Sequence, residues 1–169
     1  MNDFKFTVNG AVGTSSRLGH SASIYYPEKT EVGSSTKTVS FETTWTFNQL
    51  LSYTKNFGNH HVDVLLGHES YDYEYNYLKG SMQNQTIHNG NFEFSNYSVP
   101  DEQDSYTNTY KTEGFLARAN YDYNSRYFLS ASVRRDGSSR FYKDSRWGTF
   151  FSVGAGWRID EERFMEDLD

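Results

Sequence analysis

The sequence contains no cysteine, which excludes disulfides and thiolate metal sites. It has only two prolines, and that leaves room for long uninterrupted strands, since proline cannot donate to a strand ladder. No stretch approaches the ~20 consecutive apolar residues of a membrane-crossing helix. No basic, apolar and small-residue succession reads as a leader peptide. A basic stripe is missing as well: the net charge is -6, so nucleic acid is not an expected partner. Aliphatic residues are scarce, because hydrophobic residues make up 36% of the chain and aromatic residues alone make up 18%. Such low hydropathy is common in disordered chains, but those are poor in aromatics, and this one has 14 tyrosines and 13 phenylalanines. The composition fits a β-protein whose apolar residues are spread over one face of many strands. At 169 residues the length is that of one domain.

The clearest two-faced stretch runs from Gly114 to Phe141 and continues from Arg146 to Ile159. Successive side chains of a strand point to opposite faces. Phe115, Ala117, Ala119, Tyr121 and Tyr123 therefore share one face, and Leu116, Arg118, Asn120 and Asp122 share the other. After the tight Asn124-Ser125 pair, Tyr127, Leu129, Ala131 and Val133 oppose Ser130, Ser132 and Arg134. Trp147, Phe151, Val153, Ala155 and Trp157 form the apolar face of the last strand.

Six strands are expected, over residues 3–13, 37–56, 60–78, 111–123, 126–136 and 146–158. In the second, Val39, Phe41, Trp45, Phe47, Leu51 and Tyr53 oppose Glu42, Thr44, Thr46, Asn48, Ser52 and Thr54. In the third, Val62, Val64 and Leu66 oppose Asp63, Gly67 and Glu69, and Tyr71, Tyr73, Tyr75 and Tyr77 continue the second set. Residues 14–36 and 79–110 read as long polar loops, 137–145 as a medium loop, and 56–59 and 124–125 as tight turns. The acidic residues 160–169 suggest a short helical turn.

Long and short connections thus alternate, and in an up-and-down antiparallel sheet they lie at opposite ends. Outward apolar alternation, a polar inner face, aromatics near strand ends and long loops at one end together describe a bacterial outer-membrane barrel. Strands of ~9–11 residues suffice to span the bilayer. Lipid takes the place of a protein core on the outside, which accounts for the composition, and an open edge in hydrocarbon is not viable. Six strands are fewer than the ~8 of the smallest single-chain barrels. Both ends read as cut, so residues 1–169 are expected to be part of a larger barrel domain.

FLARANYDYNSRYFLSASVRRDGSSRF followed by DSRWGTFFSVGAGWRIDEERFM resembles the C-terminal half of SusC/RagA-like TonB-dependent transporters of Bacteroidetes-type outer membranes. The positions that carry the resemblance include Arg118, Asn120, Tyr121, Tyr123, Tyr127, Ser132, Arg134, Asp136, Gly137, Ser138, Ser139, Arg140 and Phe141. They continue through Trp147, Gly148, Phe150, Ser152, Trp157, Arg158, Phe164 and Met165. Phe151 departs from the family pattern, where proline is common. The resemblance implies a plugged barrel of ~22 strands, with long extracellular loops and short periplasmic turns. It also implies import of glycan or peptide fragments, energy supplied by TonB through a plug region absent from this sequence, and a SusD-like surface lipoprotein as lid. Outer-membrane lipid is the remaining partner. No enzyme, cofactor or metal is implied.

Arg134, Arg135, Asp136 and Arg140 form the densest charge cluster. It reads either as an electropositive rim for substrate, plug or lid, or as a strand apex held by Arg–Asp pairs with Gly137 supplying a turn. The second reading suits a motif shared across different cargoes, so Arg118, Asn120, Arg134, Asp136, Gly137, Ser139, Arg140, Phe141, Trp147, Gly148 and Trp157 are expected to be structural. Tyr71, Tyr73 and Tyr75 are the candidate substrate contacts, since aromatic faces stack on sugar rings and peptide side chains; a self-packed loop base is the competing reading. Trp45, Trp147 and Trp157 fit an interfacial girdle better than a sugar platform. His20, His60, His61, His68 and His88 lack ligand spacing, and no catalytic triad, paired carboxylate or phosphate loop stands out. A carbohydrate-binding β-sandwich is the alternative architecture, and it requires two inner faces rich in Val, Leu and Ile.

Overall fold

The computed structural model describes residues 3–26, 28 and 32–165. Six strands form one antiparallel sheet in chain order: β1 (Phe4–Ser23), β2 (Ser34–Phe57), β3 (His60–Gln85), β4 (Tyr97–Tyr123), β5 (Tyr127–Ser138) and β6 (Trp147–Trp157). The strands β5 and β6 have 12 and 11 residues, close to the ~9–11 that a tilted strand needs to span a bilayer. β2, β3 and β4 have 24, 26 and 27 residues, about twice that length.

The strand count and pairing agree with the sequence expectation, but several boundaries do not. Residues 14–23, 79–85 and 97–110, expected in loops, belong to β1, β3 and β4. Their polarity reports what surrounds the side chains; it does not report whether the backbone pairs. Ser, Thr and Asn across neighbouring strands bond one another: Thr36 with Ser81 at 3.0 Å, Asn84 with Ser98 at 2.6 Å, Thr107 with Asn76 at 2.7 Å. The loops shrink to residues 24–33, 86–96 and 139–146, and the opposite turns to 58–59 and 124–126. Long and short connections still alternate. After β6, Ile159–Glu161 forms a single 3-10 turn; residues 166–169, part of the expected acidic helical turn, lie outside the described residues.

The β4–β5 hairpin closes as its sequence dictates. Asn124 and Ser125 both adopt positive φ, 56° and 53°, the backbone of a turn whose twist matches that of the flanking strands. Asn tolerates this region through local side-chain hydrogen bonding. Asp122 stabilises the turn by accepting from the Ser125 amide at 2.7 Å.

Register settles the faces. Ala117 pairs with Val133 and Val133 with Phe151; Ala119 with Ala131 and Ala131 with Val153; Tyr121 with Leu129 and Leu129 with Ala155. The row Tyr123–Tyr127–Trp157 closes this face at the turn end, and Phe115–Arg135–Thr149 bounds it at the other. From Tyr123 to Phe115 the strand rises roughly 27 Å, or about 20 Å along the normal at a ~40° tilt, which is close to the ~25 Å apolar band of outer-membrane barrels. Phe151 and Val153 are 83% and 80% exposed, and Tyr97 is the sole buried hydrophobic residue among those described. A β-sandwich would bury two apolar faces against each other; this sheet buries none. Its apolar face requires lipid.

The described chain divides into two compact units: residues 1–11, 45–72 and 110–169 in the first, 12–44 and 73–109 in the second. The second is organised by polar groups. Ser35 is fully buried, and Ser81, Gln85 and Asn96 nearly so. The Ser35 hydroxyl donates to the Phe92 carbonyl at 2.7 Å. Asn96 donates to the carbonyls of Ile87 and Asn91 at 2.7 and 2.8 Å and accepts from the Ile87 amide at 3.0 Å. These bonds satisfy the backbone of the 86–96 connection, which burial otherwise makes costly. Tyr25 and His88 stack with centroids 4.2 Å apart, tying that connection to the one before β2. Lys37 pairs with Glu93 and holds its carboxyl below the usual carboxylate range.

Candidate functional site

On the polar face of the first unit, β3, β4 and β5 meet around one guanidinium. Arg134 donates through Nε to both oxygens of Asp136, at 2.8 and 2.9 Å, and through Nη2 to Glu69 at 2.6 Å. Asp136 is two residues along β5 on the same face, while Glu69 lies on β3, so the arginine spans the intervening strand. Gly114 of β4 makes that reach possible. A Cβ there would stand 2.7 Å from Asp136 Oδ1 and 3.2 Å from Arg134 Nη2. The side chains are 39–45% exposed, so the network gains from its two-carboxylate geometry more than from burial.

Beside the network lies a cavity of about 580 Å³, lined among others by Thr46, Asn48, Glu69, Tyr71, Arg134 and Phe150. Further along the same face, Asp63 accepts from Thr54 at 2.9 Å and Asn120 at 3.3 Å, and Arg118 reaches Asn120 at 3.4 Å. The sequence reading placed Arg118 and Asn120 on a polar face. It did not find Asp63 as the partner of Asn120, nor Glu69 as the second carboxylate of Arg134. Strand parity put both acids on the right face, but pairing register was needed to bring them within reach.

The charge cluster read from the sequence divides by parity. Arg134 and Asp136 belong to the polar face, whereas Arg135 lies on the apolar side with its guanidinium 5.3 Å from the Trp147 ring centroid. Arg140 sits 4.1 Å above the Tyr110 ring. Gly137 does not supply a turn: it belongs to β5 and pairs with Trp147. Its missing side chain makes room for the indole, since a Cβ would stand 2.9 Å from three ring atoms. Ser139 closes the strand end by donating its amide to the Lys111 carbonyl at 2.9 Å and accepting the Lys111 amide at 2.8 Å. The Phe141 carbonyl accepts from Arg146 at 3.1 Å. Gly148 lies beneath the Phe150 ring, 3.2 Å from where its Cβ would be.

The tyrosines of β3 are half-buried and packed on tyrosines of β4. In the first unit Tyr71 pairs with Tyr110 at 5.7 Å. In the second, Tyr75 and Tyr77 pack on Tyr106 at 6.0 and 5.1 Å, and Tyr73 donates to Glu42 at 3.3 Å. The histidines have separate partners: His60 with Tyr121 at 2.6 Å, His61 with Asn56, His68 with Glu113 at 3.1 Å, and His20 with Ser35 at 3.1 Å. Trp147 and Trp157 occupy the two ends of β6.

Past β6 the chain folds back through Glu162, which no sequence signal singled out. Glu162 accepts from the Tyr127 hydroxyl, from the Trp157 indole N–H at 3.1 Å and from Arg126 at 3.0 Å. These donors, Tyr127 foremost, then Trp157, with Arg126 adding its charge, hold the carboxyl below the ordinary glutamate range. The lowered value fixes the sign of the pH dependence. The clamp contributes fully above the unfolded glutamate value of about 4.3 and is lost as pH falls through the lower folded value. Acid titration of tryptophan fluorescence in the full receptor is expected to show a transition below pH ~4.3 that Glu162→Gln removes. Identical titrations for parent and variant would show that Glu162 does not clamp Trp157.

A sheet with one lipid-requiring face, one hydrogen-bonded polar face and alternating connection lengths is part of a transmembrane β-barrel wall. No protein-family model matches the chain. The TonB-dependent receptor SusC of Bacteroides thetaiotaomicron is 32% identical over 127 residues, covering 73% of this chain and 12% of that protein. The TonB-dependent receptor P39 of Formosa agariphila is 48% identical over 60 residues, covering 36% of this chain and 6% of that protein. The structure of the RagAB peptide transporter superposes with a TM-score of 0.87 at 20% identity, over 98% of this chain and 19% of that one. The same importer in its open-open state gives 0.85. The chain belongs to the SusC/RagA-like TonB-dependent receptors, which are outer-membrane β-barrels. It spans about an eighth or less of the curated relatives' length.

Proposed function

We propose that residues 1–169 form part of the barrel domain of an outer-membrane importer for glycan or peptide fragments, contributing wall strands and surface connections. The barrel has ~22 strands in this reading. TonB acts through a plug elsewhere in the receptor, and a SusD-like surface lipoprotein covers the loop end. The carrying observation is the in-register division of the sheet into an apolar face and a polar one braced by Glu69, Arg134 and Asp136. Similarity to TonB-dependent receptors supports the energy source, and the RagAB likeness supports peptide cargo and the lipoprotein partner.

Within this reading Tyr71, Tyr73 and Tyr75 contact the substrate from the polar face. Arg118, Asn120, Arg134, Asp136, Gly137, Ser139, Arg140, Phe141, Trp147, Gly148 and Trp157 hold the wall in shape. An aromatic contact is worth about 0.5–1.5 kcal/mol, so the triple Tyr→Ala variant at 71, 73 and 75 is expected to lower uptake at limiting substrate about tenfold or more. The measurement is uptake of labelled oligosaccharide and peptide pools by cells carrying the full receptor, with gel migration before and after boiling as the check on barrel folding. Unchanged uptake by a folded triple variant would remove these tyrosines from the substrate path. Failure of the parent to import either pool would overturn the import reading itself.

A further inference from the structure

Arg135 stands at the loop-side border of the apolar face, one row beyond Val133 and Phe151. Its surroundings are built. The indole of Trp147 lies across the backbone of Gly137, where a Cβ would be 2.9 Å from three of its ring atoms. Phe115 flanks the indole with centroids 6.1 Å apart, and the Arg135 guanidinium lies 5.3 Å from the same ring. An aromatic platform therefore holds a cation at the edge of the lipid band.

The nearby charges on this face are already matched. Lys111 pairs with Asp72, and His68 pairs with Glu113 at 3.1 Å while stacking on Phe115 at 4.8 Å. Arg135 has no carboxylate partner among the described residues, and the indole is its one aromatic contact. A guanidinium beside hydrocarbon is costly unless its stem lies on apolar surface and its head reaches polar groups. The face of the guanidinium has Trp147. Polar groups of this kind are what lipid headgroups supply at the border of the bilayer.

We propose that Arg135, Trp147 and Phe115 form a docking site for the phosphate of an anionic lipid headgroup in the leaflet at the loop end of the barrel. The planar fork donates two parallel hydrogen bonds to phosphate oxygens, and the rings hold it in that attitude. Gly137 is part of the site because it seats the indole. The inference rests on the outer-membrane placement of this face and is independent of what the receptor imports.

The test uses the full receptor purified in detergent, titrated with phosphatidylglycerol or phosphatidylcholine and read by native mass spectrometry. A basic side chain near an anionic surface is worth about 1 kcal/mol, or about fivefold in affinity. The parent is expected to retain phosphatidylglycerol in preference to phosphatidylcholine. Arg135→Gln should weaken phosphatidylglycerol about fivefold and leave phosphatidylcholine unchanged, while Arg135→Lys retains most of the preference. Equal retention of the two lipids by the parent overturns the site without any variant. An Arg135→Gln receptor that binds phosphatidylglycerol like the parent overturns it too. Displacement of the lipid by millimolar inorganic phosphate would mean that the site reads free phosphate, which also defeats the proposal.

Discussion

Arginine in place of Ala131 is expected to destabilise the barrel by about 2–4 kcal/mol, the cost of a lipid-facing cation near the bilayer midplane. Ala131 lies in the central row of the apolar face, between Ala119 and Val153. Its neighbour Ser132 faces the other way and bonds Ser152 at 2.9 Å. Ser132→Arg places the same side chain in a polar, hydrated lumen and is expected to cost about 0–1 kcal/mol. The pair controls for composition, because the two variants add the same residue at adjacent positions. Denaturant unfolding of the full receptor in liposomes separates them. Equal costs, or a larger one at Ser132, would reverse the assignment of faces.

Removing the charge of Arg134 is the other substitution expected to matter most. Arg134→Met leaves Glu69 and Asp136 without their shared partner and facing each other across Gly114. A fully buried pair broken on one side costs about 3–5 kcal/mol. These side chains are 39–45% exposed, which screens the repulsion, so about 1–3 kcal/mol is expected. A cycle identifies the cause. Adding Glu69→Gln to Arg134→Met should recover part of the loss, since it removes one of the opposed charges. If the double variant is as unstable as the sum of the singles, the brace is not what joins β3 to β5. If neither single variant alters stability, the network is ornamental and the sheet is held by backbone pairing alone.

The contrast between these two predictions reflects how much of the fold the sequence displays. The faces of β4, β5 and β6 were legible because their period-two alternation sets residues as unlike as Val133 and Arg134 side by side, and lipid enforces that difference. The far ends of β1, β3 and β4 were not. There both faces meet water or other polar groups, so residues 97–110 are mostly polar with no apolar alternation, and such composition alone reads as loop. At the candidate site, Arg134 and Asp136 were visible as a local pair. Glu69 was not tied to them, because the contact joins residues 65 positions apart through a register that only the assembled sheet provides. Gly137 was misread for a related reason. A glycine after aspartate suggests a turn, whereas here the glycine accommodates a ring from the neighbouring strand. Glu162 gave no signal at all, since one glutamate in an acidic tail looks like the others.

The length of β3 and β4 bears on how the outer parts of this wall can change over time. Residues 79–85 and 97–110 are strand, so a single inserted or deleted residue there would turn every later side chain of that strand to the opposite face. Substitution is open to these stretches, as are length changes in pairs; free drift in length belongs to the connections between strands. The same parity restricts where an epitope tag can be threaded into the receptor. A site that looks like a generous polar loop on paper is, over residues 97–110, a ruled surface with two sides.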